Sequence, residues 1–191
     1  VDEVSEKVLY EELTPKEFLE RIEEAPIAYL PLGTLEWHRR HLPLGADGIQ
    51  SKCFFERLAS EVGGIVLPML FLGPDKTKEV DGETLYGMDF WNAESESKIQ
   101  QREGSAYWIP DKLFESILDA TIKQLSRAGF RIIVAHGHGP STEFFADHAD
   151  EFEDRYNVKC LNCWEEGEMD EASSFQVKHA AMNETSLLME M

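Results

Sequence analysis

Histidines and carboxylates cluster in two glycine-containing segments of this 191-residue chain, 33–47 and 136–141. Four of the six histidines lie in these segments. The candidate metal ligands among them are Glu36, His38, Asp47 and His138. Imidazole and carboxylate together suit zinc, manganese or iron. One or two such ions can make a water molecule nucleophilic near neutral pH and polarise a carbonyl group, which is the chemistry of amide hydrolysis.

The spacing of these residues fits a shared site. Glu36 and His38 are two residues apart, so in an extended segment their side chains point the same way. Asp47 lies where a helix is expected to begin, and an aspartate can bridge two ions. The glycines on either side of His138 permit a tight turn that places its ring at a sheet edge. On residue chemistry alone, ordinary surface and turn roles for these side chains stay open.

The elements that must position these residues are predicted from short apolar runs and helical periodicity. The predicted strands are Ile27–Leu32, Ile65–Leu70, Arg131–Ala135 and Val158–Trp164. The predicted helices are Pro15–Glu24, Gly48–Val62, Pro110–Gly129, Thr142–Tyr156 and Ala180–Met191. Their alternation predicts an α/β fold, a three-layer sandwich with a mostly parallel sheet covered on both faces. Ligands in such sheets bind beyond the carboxyl ends of the strands, where both segments lie.

The length suits a single domain over 1–191. Residues 73–107 are polar with little periodicity, which is typical of a variable insertion or a lid. The last helical pattern reaches Met191, which leaves open whether the chain continues. The acidic N-terminus, Val1–Glu12, has no apolar stretch of the signal-peptide kind, and we expect a cytoplasmic protein.

The formal net charge of −19 excludes the usual electrostatic basis for binding nucleic acid or an anionic membrane surface. Cys160 and Cys163 form a C-x-x-C, which raises a redox or zinc alternative. The pair lies in an apolar run, so we interpret Cys160 and Cys163 as residues of a buried strand.

Three ordered motifs resemble those of the creatininase family. The family pattern is Gly-x-x-Glu-Gln-His-Gly-x-His-Leu-Pro-x-x-x-Asp, then Asn-Gly-His-Gly-Gly-Asn, then His-Ala-Gly-x-x-Glu-Thr-Ser. The corresponding segments here are 33–47, 136–141 and 179–186. The resemblance implies a Rossmann-like α/β sandwich, a metal-dependent amidohydrolase acting on a small cyclic or linear amide, and a homo-oligomer, such as a hexamer.

The resemblance also implies roles for individual residues. Glu36, Asp47 and His138 would hold one ion, and His38 with the bridging Asp47 would hold the second. His179 matches a histidine that transfers protons beside the metals. Glu184 would be a catalytic residue and either a ligand or a group that orients one. The residues expected to support the ligands or contact the substrate are His41, His136, Phe175 and Arg39.

Several motif positions depart from the family pattern. Pro140 stands where creatininase has a glutamate that binds its second ion, so that site would be weaker or completed by Glu184. Phe175 replaces a tryptophan, and Trp37 and Arg39 replace glutamine and glycine. We therefore expect a substrate other than creatinine. The alternative is a non-catalytic relative that binds a metal or a small molecule, and Arg39 could equally contact an anionic substrate or balance acidic neighbours.

Overall fold

The computed structural model describes residues 7–91, 99–163 and 189. After a 3-10 turn at Tyr10–Glu12, the described helices are α1 (Pro15–Glu24), α2 (Ala46–Val62), α3 (Met88–Trp91), α4 (Asp111–Ala128), α5 (Gly139–Asp147) and α6 (Ala149–Tyr156). The strands are β1 (Ile27–Leu32), β2 (Ile65–Val66), β3 (Thr77–Val80), β4 (Glu83–Tyr86), β5 (Ile132–Gly137) and β6 (Lys159–Asn162). Four strands form one sheet in the order β2-β1-β5-β6, and all its pairings are parallel.

Helix α1 begins as its sequence predicts. The Thr14 hydroxyl accepts a hydrogen bond from the Glu17 backbone N–H, and the Glu17 carboxylate accepts one from the Thr14 N–H. This capping box satisfies two backbone donors that the first helical turn leaves unpaired, and Pro15 suits the first helical position.

Alternate residues of β1 enter two different cores. Ala28, Leu30 and Leu32 pack with side chains of α4, α5 and α6 on one face of the sheet. Tyr29 packs with Phe55 and Val66 in the α2 layer on the other face. Because side chains of a strand alternate between faces, this pattern requires helices on both sides. The predicted α/β sandwich with a mostly parallel sheet is therefore confirmed.

Two predicted elements differ in their extent. Strand β2 ends at Val66, because Pro31 of β1 has no N–H to donate across the ladder, and an isolated bridge joins Leu70 to Leu32. The helix predicted over Thr142–Tyr156 is divided at His148, whose ring nitrogen lies 2.8 Å from the Phe144 carbonyl oxygen. The ring takes a carbonyl that a continuous helix would use for its own ladder.

Residues 73–107 contain regular structure that the sequence did not predict. Strands β3 and β4 form an antiparallel hairpin around Asp81 and Gly82, both with positive φ as a type I′ turn requires. Helix α3 follows directly. Residues 92–98 lie outside the described part, and a lid role for 73–107 stays a prediction.

Only one of the predicted C-terminal elements, the last strand, falls on described residues. Strand β6 lies within the predicted Val158–Trp164, and its pairing with β5 completes the sheet. The predicted helix Ala180–Met191 and the third motif, 179–186, lie outside the described residues apart from position 189. No helix in the described part has the length and apolar character needed to cross a bilayer.

Candidate metal centre

The loop after β1 buries Glu36 and His38 side by side. Glu36 is 3% exposed and His38 is fully buried. The backbone N–H of Glu36 donates to the Leu44 carbonyl, which folds the loop back on itself. His38 Nδ1 lies 3.0 Å from the Glu36 carbonyl oxygen, so this nitrogen donates its proton there. The lone pair of His38 Nε2 in the neutral ring then faces away from the backbone, as a metal-binding histidine requires.

Asp47 meets this lone pair from the first turn of α2. Its Oδ1 lies 2.9 Å from His38 Nε2. A carboxylate at a helix N-terminus is stabilised by the unpaired N–H groups of the first turn. A neutral imidazole lone pair and a carboxylate oxygen both attract a cation, so the pair requires a shared proton or ion. Glu36, His38 and Asp47 offer ligand atoms within 4.8 Å of one another.

His138 reaches the same region from the end of the adjacent strand. The last residue of β5, Gly137, has φ +136°, and a Cβ there would lie 1.7 Å from the Leu32 carbonyl oxygen. The same carbonyl accepts a hydrogen bond of 3.0 Å from the His138 N–H. This close approach of the two strand ends places His138 Nε2 3.6 Å from Glu36 Oε1, with the His138 side chain 3% exposed. His138 Nδ1 lies 3.2 Å from the Ser141 hydroxyl.

The structure adds a carboxylate that the sequence analysis missed. Asp75 Oδ2 lies 3.7 Å from His138 Nε2, and the Asp75 side chain is 5% exposed. Glu36, Asp75 and His138 form a second group whose ligand atoms lie within 4.8 Å of one another. Asp75 lies beyond the predicted strand Ile65–Leu70, so the strand-end rule could have included it among the candidates but could not have placed it beside His138.

The remaining predicted site residues are exposed, pack against aromatic side chains or lie outside the described residues. His41 and Arg39 are exposed, and Arg39 has φ 59° at the position where the family motif has glycine. The His136 ring packs against Phe54, with centroids 5.3 Å apart. Burial lowers the pKa of His136, and the charge of Asp47 partly opposes this shift. The predicted residues outside the described part are Phe175, His179 and Glu184.

The donor set fits a divalent ion. Five side chains form this candidate metal centre, which is called the metal centre below: Glu36, His38, Asp47, Asp75 and His138. Three carboxylates and two imidazoles converge there, and like charges in a buried site repel unless a cation lies between them. Oxygen and imidazole nitrogen donors are the set that zinc, manganese and iron accept.

Comparisons with known proteins show the family and the fold of the chain. The sequence model of the creatininase family, described as creatinine amidohydrolase, matches residues 11–191. The creatinine amidohydrolase of Pseudomonas putida is 26% identical over 155 residues, which are 77% of this chain and 51% of that protein. The chain thus spans about half the length of this curated relative.

Solved structures share the fold. A variant creatininase of Zn-Zn type superposes with a TM-score of 0.72 at 22% identity, covering 97% of this chain and 72% of the other. A manganese creatininase gives a TM-score of 0.71 at 22% identity, covering 96% and 72%. At this identity the likeness establishes the architecture, and the predicted membership of the creatininase family is confirmed by the family match over 11–191.

Proposed function

The chain belongs to the creatininase family, and from this premise we propose that it is a divalent-metal-dependent hydrolase of carbon–nitrogen bonds in small amides. The observation that carries the proposal is the convergence of Glu36, His38, Asp47 and His138 near the ends of two adjacent parallel strands, although Glu36 and His138 are 102 positions apart in the sequence. An amidohydrolase site requires such buried nitrogen and oxygen donors.

The proposed ligands fall into two overlapping groups that share Glu36. His38 and Asp47 belong to one group, and His138 belongs to the other. When bound, a divalent ion supplies Lewis acidity toward a carbonyl oxygen and lowers the pKa of a water molecule. Zinc, manganese and iron are the proposed metals, and zinc and manganese forms of creatininase support the first two.

The chain's own residues orient the ligands. The Glu36 carbonyl accepts the His38 Nδ1 proton and fixes the ring so that Nε2 faces the centre. Ser141 contacts His138 Nδ1 and does the same for the second imidazole. Such contacts fix the tautomer and the ring angle of a histidine ligand.

Two further roles are proposed on the family motif alone. We assign His179 the transfer of a proton to the leaving nitrogen, and Glu184 either a ligand position or the orientation of a ligand. Both positions lie outside the described residues. A homo-oligomer, such as a hexamer, is likewise proposed, and light scattering of the purified protein would test it.

The proposed substrate is a small amide other than creatinine. The support is the set of motif departures, Trp37, Arg39, Pro140 and Phe175. Of these, Trp37 is buried, and the Cζ atom of the Arg102 guanidinium lies over its ring, 4.8 Å from the ring centroid of Trp37. Trp37 lies between Glu36 and His38, so this contact packs directly beside two of the proposed ligands.

The test is turnover of a panel of cyclic and linear amides, including creatinine, by the chelator-treated chain before and after addition of zinc, manganese or ferrous ion. We expect hydrolysis of at least one amide other than creatinine that depends on the added metal. Asp47→Ala should lower that rate by at least ~100-fold, since removing even a group behind a ligand costs 10–100-fold. Asp147→Ala, at the exposed end of α5, is the matched control.

Two results would contradict the proposal. One is turnover that survives both metal removal and Asp47→Ala. The other is a metal-loaded chain that hydrolyses no amide in the panel, which would favour the non-catalytic alternative.

A further inference from the structure

Asp75 enters the metal centre from a part of the chain that carries none of the family motifs. It lies just before β3, at the base of the β3–β4 hairpin, and far in sequence from both Glu36 and His138. The Gly87 N–H donates to the Lys76 carbonyl and closes this base. The hairpin therefore holds the Asp75 backbone beside the two strand ends.

The two oxygens of the Asp75 carboxylate have different environments. Oδ1 accepts a hydrogen bond of 2.7 Å from the Lys76 N–H. Oδ2 is buried and accepts no hydrogen bond from any residue in the described part of the chain. A Cβ on Gly87, which has φ +39°, would lie 2.0 Å from Oδ2, so only glycine lets the backbone pack against this oxygen.

Two distances from His138 Nε2 describe the surroundings of Asp75 Oδ2. His138 Nε2 lies 3.7 Å from it and 3.6 Å from Glu36 Oε1, beyond hydrogen-bonding range in both cases. Ligands that are each about 2.1 Å from one ion lie roughly 3–4 Å apart. The separations of Glu36 Oε1 and Asp75 Oδ2 from His138 Nε2 are therefore those of ligands around a shared cation, and the three residues offer ligand atoms that all lie within 4.8 Å of one another.

The first turn of α5, which follows His138, carries no carboxylate. Pro140 occupies the first turn of α5, and its side chain has no ligand atom. The Asp75 carboxylate, at the base of the hairpin, approaches the same His138 imidazole from another segment of the chain. Without a carboxylate in the first turn of α5, His138 therefore still has two carboxylates nearby, those of Glu36 and Asp75.

We propose that Asp75 is a metal ligand, and that Glu36, Asp75 and His138 hold one divalent ion while Glu36, His38 and Asp47 hold the other. This assignment rests on the proposed metal dependence. It differs from the motif-based one, in which Asp47 is grouped with Glu36 and His138.

The test is zinc and manganese binding by Asp75→Asn, measured by competition with a chromophoric chelator and by elemental analysis after dialysis. Asn has the shape of Asp and keeps an oxygen for the Lys76 N–H, but it removes the charge. We expect at least a tenfold loss of affinity for one ion and a lower metal content at limiting metal. Asp81→Asn, exposed in the turn of the same hairpin, is the control and should bind as the unaltered chain does.

Thermal unfolding separates a ligand from a structural carboxylate. Without metal, Asp75→Asn should be as stable as the unaltered chain or more so, because it removes a buried charge; with metal, its gain in melting temperature should be smaller. If Asp75→Asn folds poorly, Asp75→Ser supplies the same comparison. Unaltered metal affinity in a folded Asp75 variant, or a metal-free melting temperature that falls with no change in metal binding, would overturn the assignment. A chain that binds no metal even before substitution would instead overturn the proposed function, and the assignment with it.

Discussion

Gly137→Ala tests how the fold brings the two strand ends together. Gly137 has φ +136°, a region that side chains rarely adopt. An alanine Cβ would lie 1.7 Å from the Leu32 carbonyl oxygen, and real Cβ contacts essentially never fall below 3.0 Å. The β1 and β5 ends would therefore have to separate by at least 1.3 Å, the difference between these two distances. Leu32 precedes the Glu36 loop and Gly137 precedes His138, so the separation acts on the metal centre.

The expected cost follows from two terms. A sparsely populated backbone conformation costs about 1–3 kcal/mol. Forcing an extra methyl group into a filled space costs about 1–3 kcal/mol more. The reduced freedom of alanine in the unfolded chain returns roughly 0.4–1 kcal/mol. The net loss is about 1–5.6 kcal/mol, or about 2–22 °C in melting temperature for a chain of this size.

Urea unfolding of the metal-free protein measures this loss, and zinc titration measures its effect on the site. Gly139→Ala is the matched control, because its Cβ would meet no atom within 4 Å and its backbone is helical. We expect the control to stay within about 0.5 kcal/mol of the unaltered chain, as surface substitutions do. Equal unfolding free energies and equal zinc affinities for the two variants would refute the reasoning.

Two further predictions concern the edge strand β6 and the helix α6 that precedes it. Glu153→Gln should lower stability at pH 7 by less than about 1 kcal/mol, since its pair with Lys159 is near the surface. Hydrogen bonds from Lys159 and from the Cys160 N–H lower the pKa of Glu153, so its contribution is present above the unfolded pKa and is lost as the pH falls through the folded one. Unfolding curves of the variant and the unaltered chain should therefore converge in acid, and a constant difference from pH 7 to pH 3 would contradict this. Burial, with a smaller effect of the Glu153 charge, raises the pKa of Cys160 to about 12. Iodoacetamide at pH 8 should therefore alkylate the exposed Cys163 and leave Cys160 unmodified in the folded protein. Equal labelling of the two cysteines would contradict the assignment of Cys160 to the core.

The sheet and the strand-end residues could be predicted because they depend on local patterns. Apolar runs predicted the four parallel strands, and the strand-end rule directed attention to Glu36 and His138. The spacing of Glu36 and His38 predicted that both face one site, and the structure places their ligand atoms within 4.8 Å of each other. These inferences needed only the alternation of side chains along an extended backbone.

The hairpin and its carboxylate could not be predicted in the same way. Strands β3 and β4 are largely exposed, so they lack the alternation of apolar residues that indicates a half-buried strand. The Asp81–Gly82 dipeptide, which suits a type I′ turn, is a local indication of the hairpin. That Asp75 meets His138 depends on how the hairpin packs against the strand ends, which is a tertiary property. The break at His148 has a similar cause, since a side chain competing for the Phe144 carbonyl leaves no trace in the periodicity.

The most direct test of the metal centre is a crystal structure of the zinc-reconstituted chain with anomalous diffraction measured at the zinc edge. We predict a peak about 2.0–2.3 Å from ligand atoms of both Glu36 and His138, the usual range for zinc bonds to oxygen and nitrogen. Absence of any peak among Glu36, His38, Asp47 and His138, with zinc found only at other positions, would contradict the account.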